Sequence, residues 1–182
     1  MQHKILGIIS DNYFFINQQG MYILGIWAVV NMVLGLFYFR TAGVWKYFFL
    51  MGFYWNIVNL FLAIYTLYDI SLMRQNVTST GLNALNIINN HHFIQKILLV
   101  NVGLDIAYLV SGFLLKEKAK NNLNGNNLNG NSPNSSRMQG FGNSLLVQGG
   151  FLLIFDIMMV ILHQIHNAKW LEKYFTEISS KI

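Results

Sequence analysis

Two acidic residues stand inside long apolar runs: Asp105 within Ile97–Leu115 and Asp156 within Ser144–His166. Neither run contains a lysine or arginine that could neutralise them. Placing a carboxyl at the centre of a membrane helix costs roughly 2.5–3.5 kcal/mol on translocon-based scales, so such residues are functional candidates by default. Paired carboxyls suit three chemistries. They can carry a proton or cation, serve as neutral hydrogen-bond donors, or activate a water for hydrolysis. The third is the chemistry of intramembrane aspartyl proteases. Gly103-Leu104-Asp105 and Phe155-Asp156 depart from the glycine-x-glycine-aspartate signature of that family, and four spans are too few for its fold. The first two readings stay open at this level.

Further polar residues recur near the aspartates at the four-three spacing of one helix face. The runs that hold them contribute Ala28, Asn31 and Gly35; Gly52, Asn56, Asn59 and Ala63; Asn101, Asp105, Tyr108 and Gly112; and Gly149, Asp156 and His163. Asp105, Asp156, Asn31, Asn56, Asn59, Asn101, Tyr108 and Gln148 therefore form the candidate intramembrane polar site. The plainer reading is interhelical glue, because small residues let helices approach and amides bond across them at roughly 0.6 kcal/mol each.

Metal chemistry has weaker support. His91 and His92 precede the third run, and His163 and His166 share a face at the end of the fourth. They are weak metal candidates, with hydrogen bonding at the membrane rim as the alternative. The chain has no cysteine, which removes disulfides and thiolate ligands. It has no P-loop, GxSxG elbow, HExxH or dinucleotide fingerprint, so no cofactor and no catalytic residue is expected. Arg137-Met138-Gln139-Gly140-Phe141-Gly142 is glycine-rich but reads as a turn leading into the last apolar run.

The elements that must position these residues follow from composition. The chain of 182 residues is 54% hydrophobic but only 10% charged, against a usual charged share of about 25%. The deficit concentrates in four runs: 20–39, 47–68, 97–115 and 144–166. Each is close to the ~20 residues that cross a ~30 Å hydrocarbon core as a helix. The fold class is therefore all-α, a polytopic four-helix bundle of two antiparallel hairpins spanning 20–166. The net charge of +5 is scattered at run ends, where it suits lipid headgroups better than nucleic acid.

Around the bundle, residues 1–19 predict a short interfacial segment. Residues 167–182 predict an amphipathic interfacial helix with Trp170, Leu171, Tyr174, Phe175 and Ile178 on one face. Between the second and third runs, Thr80 is placed to cap a short helix bearing Leu82, Leu85 and Ile88. The Asn-Asn-Leu-Asn-Gly tandem at 121–130 opens an Asn-rich stretch over 121–136 that predicts a disordered tether. The Lys and Arg count is equal on the two sides. Arg40, Lys46, Lys116, Lys118 and Lys120 crowd the run ends, which places their connections in the cytoplasm and both termini outside.

The two halves align without a gap. Arg40, Gly43, Gly52, Ile57 and Ile64 fall on Arg137, Gly140, Gly149, Ile154 and Ile161, with Asn59 on Asp156. A duplicated hairpin is the reading of that match.

Several strings also resemble a family of uncharacterised four-span membrane proteins from bacteria of the Bacteroidetes group. They are Gly20-Met21-Tyr22, Trp27-Ala28-x-x-Asn31, Trp45-Lys46-Tyr47, Trp55-Asn56-x-x-Asn59-Leu60, Leu104-Asp105-x-Ala107-Tyr108 and Arg137-x-x-Gly140-Phe141-Gly142-x-Ser144-Leu145-x-x-Gln148-Gly149. The resemblance covers roughly residues 20–166. It implies the four-span fold and a bacterial inner membrane location, and it carries no activity.

Three functions remain in play. The first is a small transporter-like or permeation protein using Asp105 and Asp156. The second is a non-catalytic subunit or scaffold whose polar seam serves assembly. The third is a membrane enzyme acting on a lipid-soluble substrate. The expected partners are the lipid bilayer and either further copies of the chain or a membrane protein.

Overall fold

The computed structural model describes the backbone of residues 2–80, 84–125 and 133–179. It describes the side chains of 14–75, 92–121 and 134–166, with Lys169 and Thr176. These residues form four helices and no strand. They are α1 (Gln2–Tyr38), α2 (Gly43–Thr80), α3 (Ala84–Gly125) and α4 (Pro133–Ser179).

Long helices are what this sequence must form in lipid, where every backbone amide and carbonyl has to be bonded within its own segment. The single proline of the chain, Pro133, stands at the start of α4, where its missing N–H costs nothing. Each helix holds a segment long and apolar enough to cross a membrane: Phe14–Tyr38, Gly43–Gln75, His92–Asn121 and Asn134–His166. By length and composition this is a multi-pass membrane protein.

The helices run further than the apolar runs predict. The segment expected to form a separate interfacial helix, 1–19, is from Gln2 onward the first part of α1. The connection expected over 69–96 is largely helix, since α2 continues through Thr80 and α3 begins at Ala84. Leu82, and the side chains of Leu85 and Ile88, lie outside the described residues. The Asn-rich stretch is helical to Gly125 and again from Pro133, and 126–132 lie outside the description. The turn expected at Arg137–Gly142 is the second turn of α4 and beyond, because Pro133 starts that helix early. Residues 167–179 extend α4, and the side chains of Trp170, Leu171, Tyr174, Phe175 and Ile178 are not described.

One tight connection is fully visible. Thr41 donates its backbone N–H and its hydroxyl to the Tyr38 carbonyl, at 3.0 and 2.7 Å, which satisfies an end carbonyl of α1. Gly43 then turns the chain into α2 with φ of 65°, a conformation that a Cβ makes costly.

The most extensive packing is α3 against α4, followed by α1 against α2 and α2 against α4. Glycines decide where the helices come closest. A Cβ on Gly140 of α4 would lie 2.5 Å from the Val44 carbonyl oxygen of α2, and one on Gly112 of α3 would lie 2.9 Å from the Gly142 carbonyl oxygen of α4. Below that crossing Leu24, Ala63, Leu98, Leu152, Phe155 and Met159 form the apolar core. Ile26, Phe61, Leu99 and Ile154 face outward, as lipid-facing residues do.

Candidate functional site

Gln148 of α4 is the hub of the interior, at 2% exposure. Its Oε1 accepts from Trp27 Nε1 of α1 at 2.9 Å and from Asn56 Nδ2 of α2 at 3.1 Å. Its Nε2 donates to Asn31 Oδ1 of α1 at 3.0 Å. Asn56 passes the chain on, accepting from Asn59 Nδ2 at 3.3 Å. Two of the asparagines are also anchored to their own helix: Asn31 donates to the Trp27 carbonyl and Asn56 to the Gly52 carbonyl. The Trp27 indole is held in place by stacking on Phe151, with centroids 3.9 Å apart.

The sequence explains why the hub sits there. Gly52 leaves room beside Ser144 and Gln148, whose Oγ and Nε2 would lie 3.6 and 3.7 Å from a Cβ at that position. Both are ordinary van der Waals distances, so Gly52 lines the Gln148 amide closely without crowding it. With Trp27 and Asn31 one turn apart on α1, both ends of the Gln148 amide are satisfied from a single helix face.

Asp105 and Asp156 form a second group. Both are buried, at 3% and 5% exposure, and they interact with each other across the contact between α3 and α4. Gly149 makes the approach possible, because a Cβ there would lie 3.5 Å from the Asp105 carbonyl oxygen and 3.3 Å from the Tyr108 Cβ. Asp105 Oδ2 has no hydrogen-bond partner among the described residues, nor does the buried Trp55 Nε1. Tyr108, the next turn of α3, meets the Trp55 ring edge-on at 4.6 Å. Chemically, the pair is suited to binding a proton or a cation.

The candidate residues thus divide. Asn31, Asn56, Asn59 and Gln148 are joined in one network, Asp105 faces Asp156, and Tyr108 packs beside them. Asn101 is half-buried on α3, one turn before Asp105.

Four contributors escaped sequence reasoning. Trp27 and Ser144 were visible only as motif residues. Asn17, 3% exposed, faces the fully buried His163 with its Oδ1 3.2 Å from Nε2. Ser135 donates to the Ala119 carbonyl at 2.9 Å, fastening α4 to α3. Ser144 is buried beside Gly52. A polar residue within helical spacing of a known apolar face is the only signal they carry.

Of the histidines considered as metal ligands, His163 faces Asn17, His166 is half-buried and His92 is exposed. The side chain of His91 lies outside the described residues. Among the described residues no three histidine, aspartate or glutamate side chains cluster as a metal site would require.

With this geometry in place, the comparison with known families is informative. The model of DUF6992, a family of unknown function, matches residues 23–157. The chain belongs to that family. The DUF6992 match takes in every residue of the Gln148 network and both aspartates, and ends one residue beyond Asp156. No curated protein matches the chain, and no solved structure does.

Proposed function

We propose that this DUF6992 protein is a small transporter-like or permeation protein of a bacterial inner membrane, with Asp105 and Asp156 as its proton- or cation-binding site. The observation that carries this reading is the facing pair of buried carboxyls, with Asp105 Oδ2 unpartnered among the described residues. A purely structural acid would be expected to have both oxygens bonded, since a buried unsatisfied polar atom costs about 1–3 kcal/mol. An oxygen left open beside a second carboxyl suits an exchangeable ligand. Tyr108 and Asn101 are the neighbouring groups on α3 that would share it.

In this reading the four helices are two antiparallel hairpins, α1–α2 and α3–α4, derived from one duplicated ancestor. The close packing of α2 on α4 supports it, since those are the helices that the internal repeat equates. The termini lie on the periplasmic side, and the ends of α1 and α4 rest in the interface. Reconstituted in liposomes, the protein should pass a proton or monovalent cation, and Asp105→Asn with Asp156→Asn should abolish that flux. Flux unchanged in the double variant would exclude the site.

A second reading is favoured by the Gln148 network, whose amides are bonded to one another across three helices. Such a seam suits a non-catalytic subunit that docks on a membrane partner. It predicts that the double aspartate variant folds and that the protein purifies with a second polypeptide. Recovery from native membranes without any partner would count against it.

A further inference from the structure

The outward side of the α1–α2 pair carries two adjoining cavities that together form a groove. Near the termini, Gln18, Leu67, Ile70, Ser71, Arg74 and Gln75 line a cavity of about 300 Å³. Toward the middle of the helices, a second cavity of about 330 Å³ lies between Met21, Gly25, Val29, Leu60, Ala63 and Leu67. Leu67 lines both. Gln18, Tyr22, Gly25 and Val29 repeat on one face of α1, and Leu60, Ile64, Leu67, Ser71 and Arg74 repeat on one face of α2. The two cavities therefore adjoin at Leu67, a polar one toward the termini and an apolar one toward the middle of the helices. At their junction, Gln18 Nε2 donates to Tyr22 Oη at 2.9 Å.

The groove exists because its floor is small. Gly25 meets Ala63 with only 3.7 Å between a would-be Cβ and the alanine methyl. Its length follows from helix rise: Leu60 to Arg74 spans about 21 Å at ~1.5 Å per residue. That is half of the ~40–45 Å total thickness of a bilayer with its headgroups, or one leaflet. Leu60 falls near the middle of the Gly43–Gln75 segment and Arg74 at its end. The Arg74 guanidinium lies 5.6 Å from the Phe14 ring centroid, and Arg74 is among the residues lining the polar cavity.

We propose that this groove is a binding site for one anionic glycerophospholipid, with its phosphate at Arg74, Ser71 and Gln75 and an acyl chain along Gly25 and Ala63. Charge sets the headgroup class, since a cation at headgroup depth attracts anionic lipid. Shape sets the chain, since the apolar end is narrow, aliphatic and open sideways to the bilayer. The site is separate from the Asp105–Asp156 pair and does not depend on how that pair functions.

Native mass spectrometry of the detergent-solubilised protein, titrated with phosphatidylglycerol or phosphatidylcholine, tests this directly. One phosphatidylglycerol should be retained per chain in preference to phosphatidylcholine. Arg74→Gln, at an exposed position, should reduce that preference about fivefold, the effect of one basic residue beside an anionic surface. Gly25→Leu fills the apolar end and should lower occupancy by both lipids while helical content, read by circular dichroism, is kept. Should Gly25→Leu fail to fold, the Arg74→Gln preference alone decides. Equal retention of the two lipids by the wild type, or an unchanged preference in Arg74→Gln, overturns the proposal. So does displacement of the lipid by millimolar inorganic phosphate, which would mark a free-anion site. A dimer that Gly25→Leu converts to monomer, with lipid retention unaltered, would assign the face to a second copy of the chain instead.

Discussion

At the scale of single residues, Gln148 does more than its composition suggests. Its amide is bonded to Trp27, Asn31 and Asn56, so Gln148→Leu removes three interhelical hydrogen bonds at once. At an average of ~0.6 kcal/mol each in a membrane protein, the loss is about 2 kcal/mol. Thermal unfolding in detergent should register it as a lowered midpoint, and an unchanged midpoint would show that the seam contributes nothing. Asn31, Asn56 and Asn59 were legible in the sequence because amides in apolar helices are rare enough to stand out. Their partner Trp27 was not, because an indole in a membrane helix has a plain alternative role at the headgroups. Asn17 was hidden for a different reason, although its partner His163 was already legible on the interior face of the last run. It lies near the end of an apolar run, where a polar residue needs no interior explanation, and only packing brings the two to 3.2 Å.

At the scale of elements, glycine sets the spacing of the helices. Gly140 sits so close to α2 that a methyl there would overlap the Val44 carbonyl and the Tyr47 side chain, whereas Gly150 has nothing within 4 Å of the same probe position. Gly140→Ala should therefore cost ~1–3 kcal/mol through overpacking, while Gly150→Ala should be neutral or mildly stabilising. Denaturation of the two variants side by side checks the contrast, and equal stability would contradict the packing. Gly43→Ala should cost roughly 1–2 kcal/mol because its φ is left-handed; an unaltered unfolding midpoint would contradict it. The four apolar runs were readable from length alone, and each coincides with one observed helix, apart from Phe39 just past the end of α1. Helix ends were not readable. Segments such as 1–19 and 121–136 are polar enough to look like interface or tether, yet their described parts continue the neighbouring helices. The string Arg137–Gly142 misled in the same way: its glycines serve close packing within α4 rather than a turn.

At the scale of the whole molecule, two interior groups sit at neighbouring levels with different tasks. The Gln148 network is bonded internally and binds α4 to α1 and α2. The Asp105–Asp156 pair joins α3 to α4 and retains an open oxygen. If the pair acts as one proton- or cation-binding unit, its two members are not independent. Neutralising either should then remove as much function as neutralising both, because effects within a cooperating unit do not add. The most direct measurement is flux of protons or monovalent cations into liposomes containing the wild type, Asp105→Asn, Asp156→Asn or the double variant. A gradient-driven flux is expected in the wild type, falling to the protein-free rate in all three variants. Flux at the wild-type rate in any of the three would contradict it.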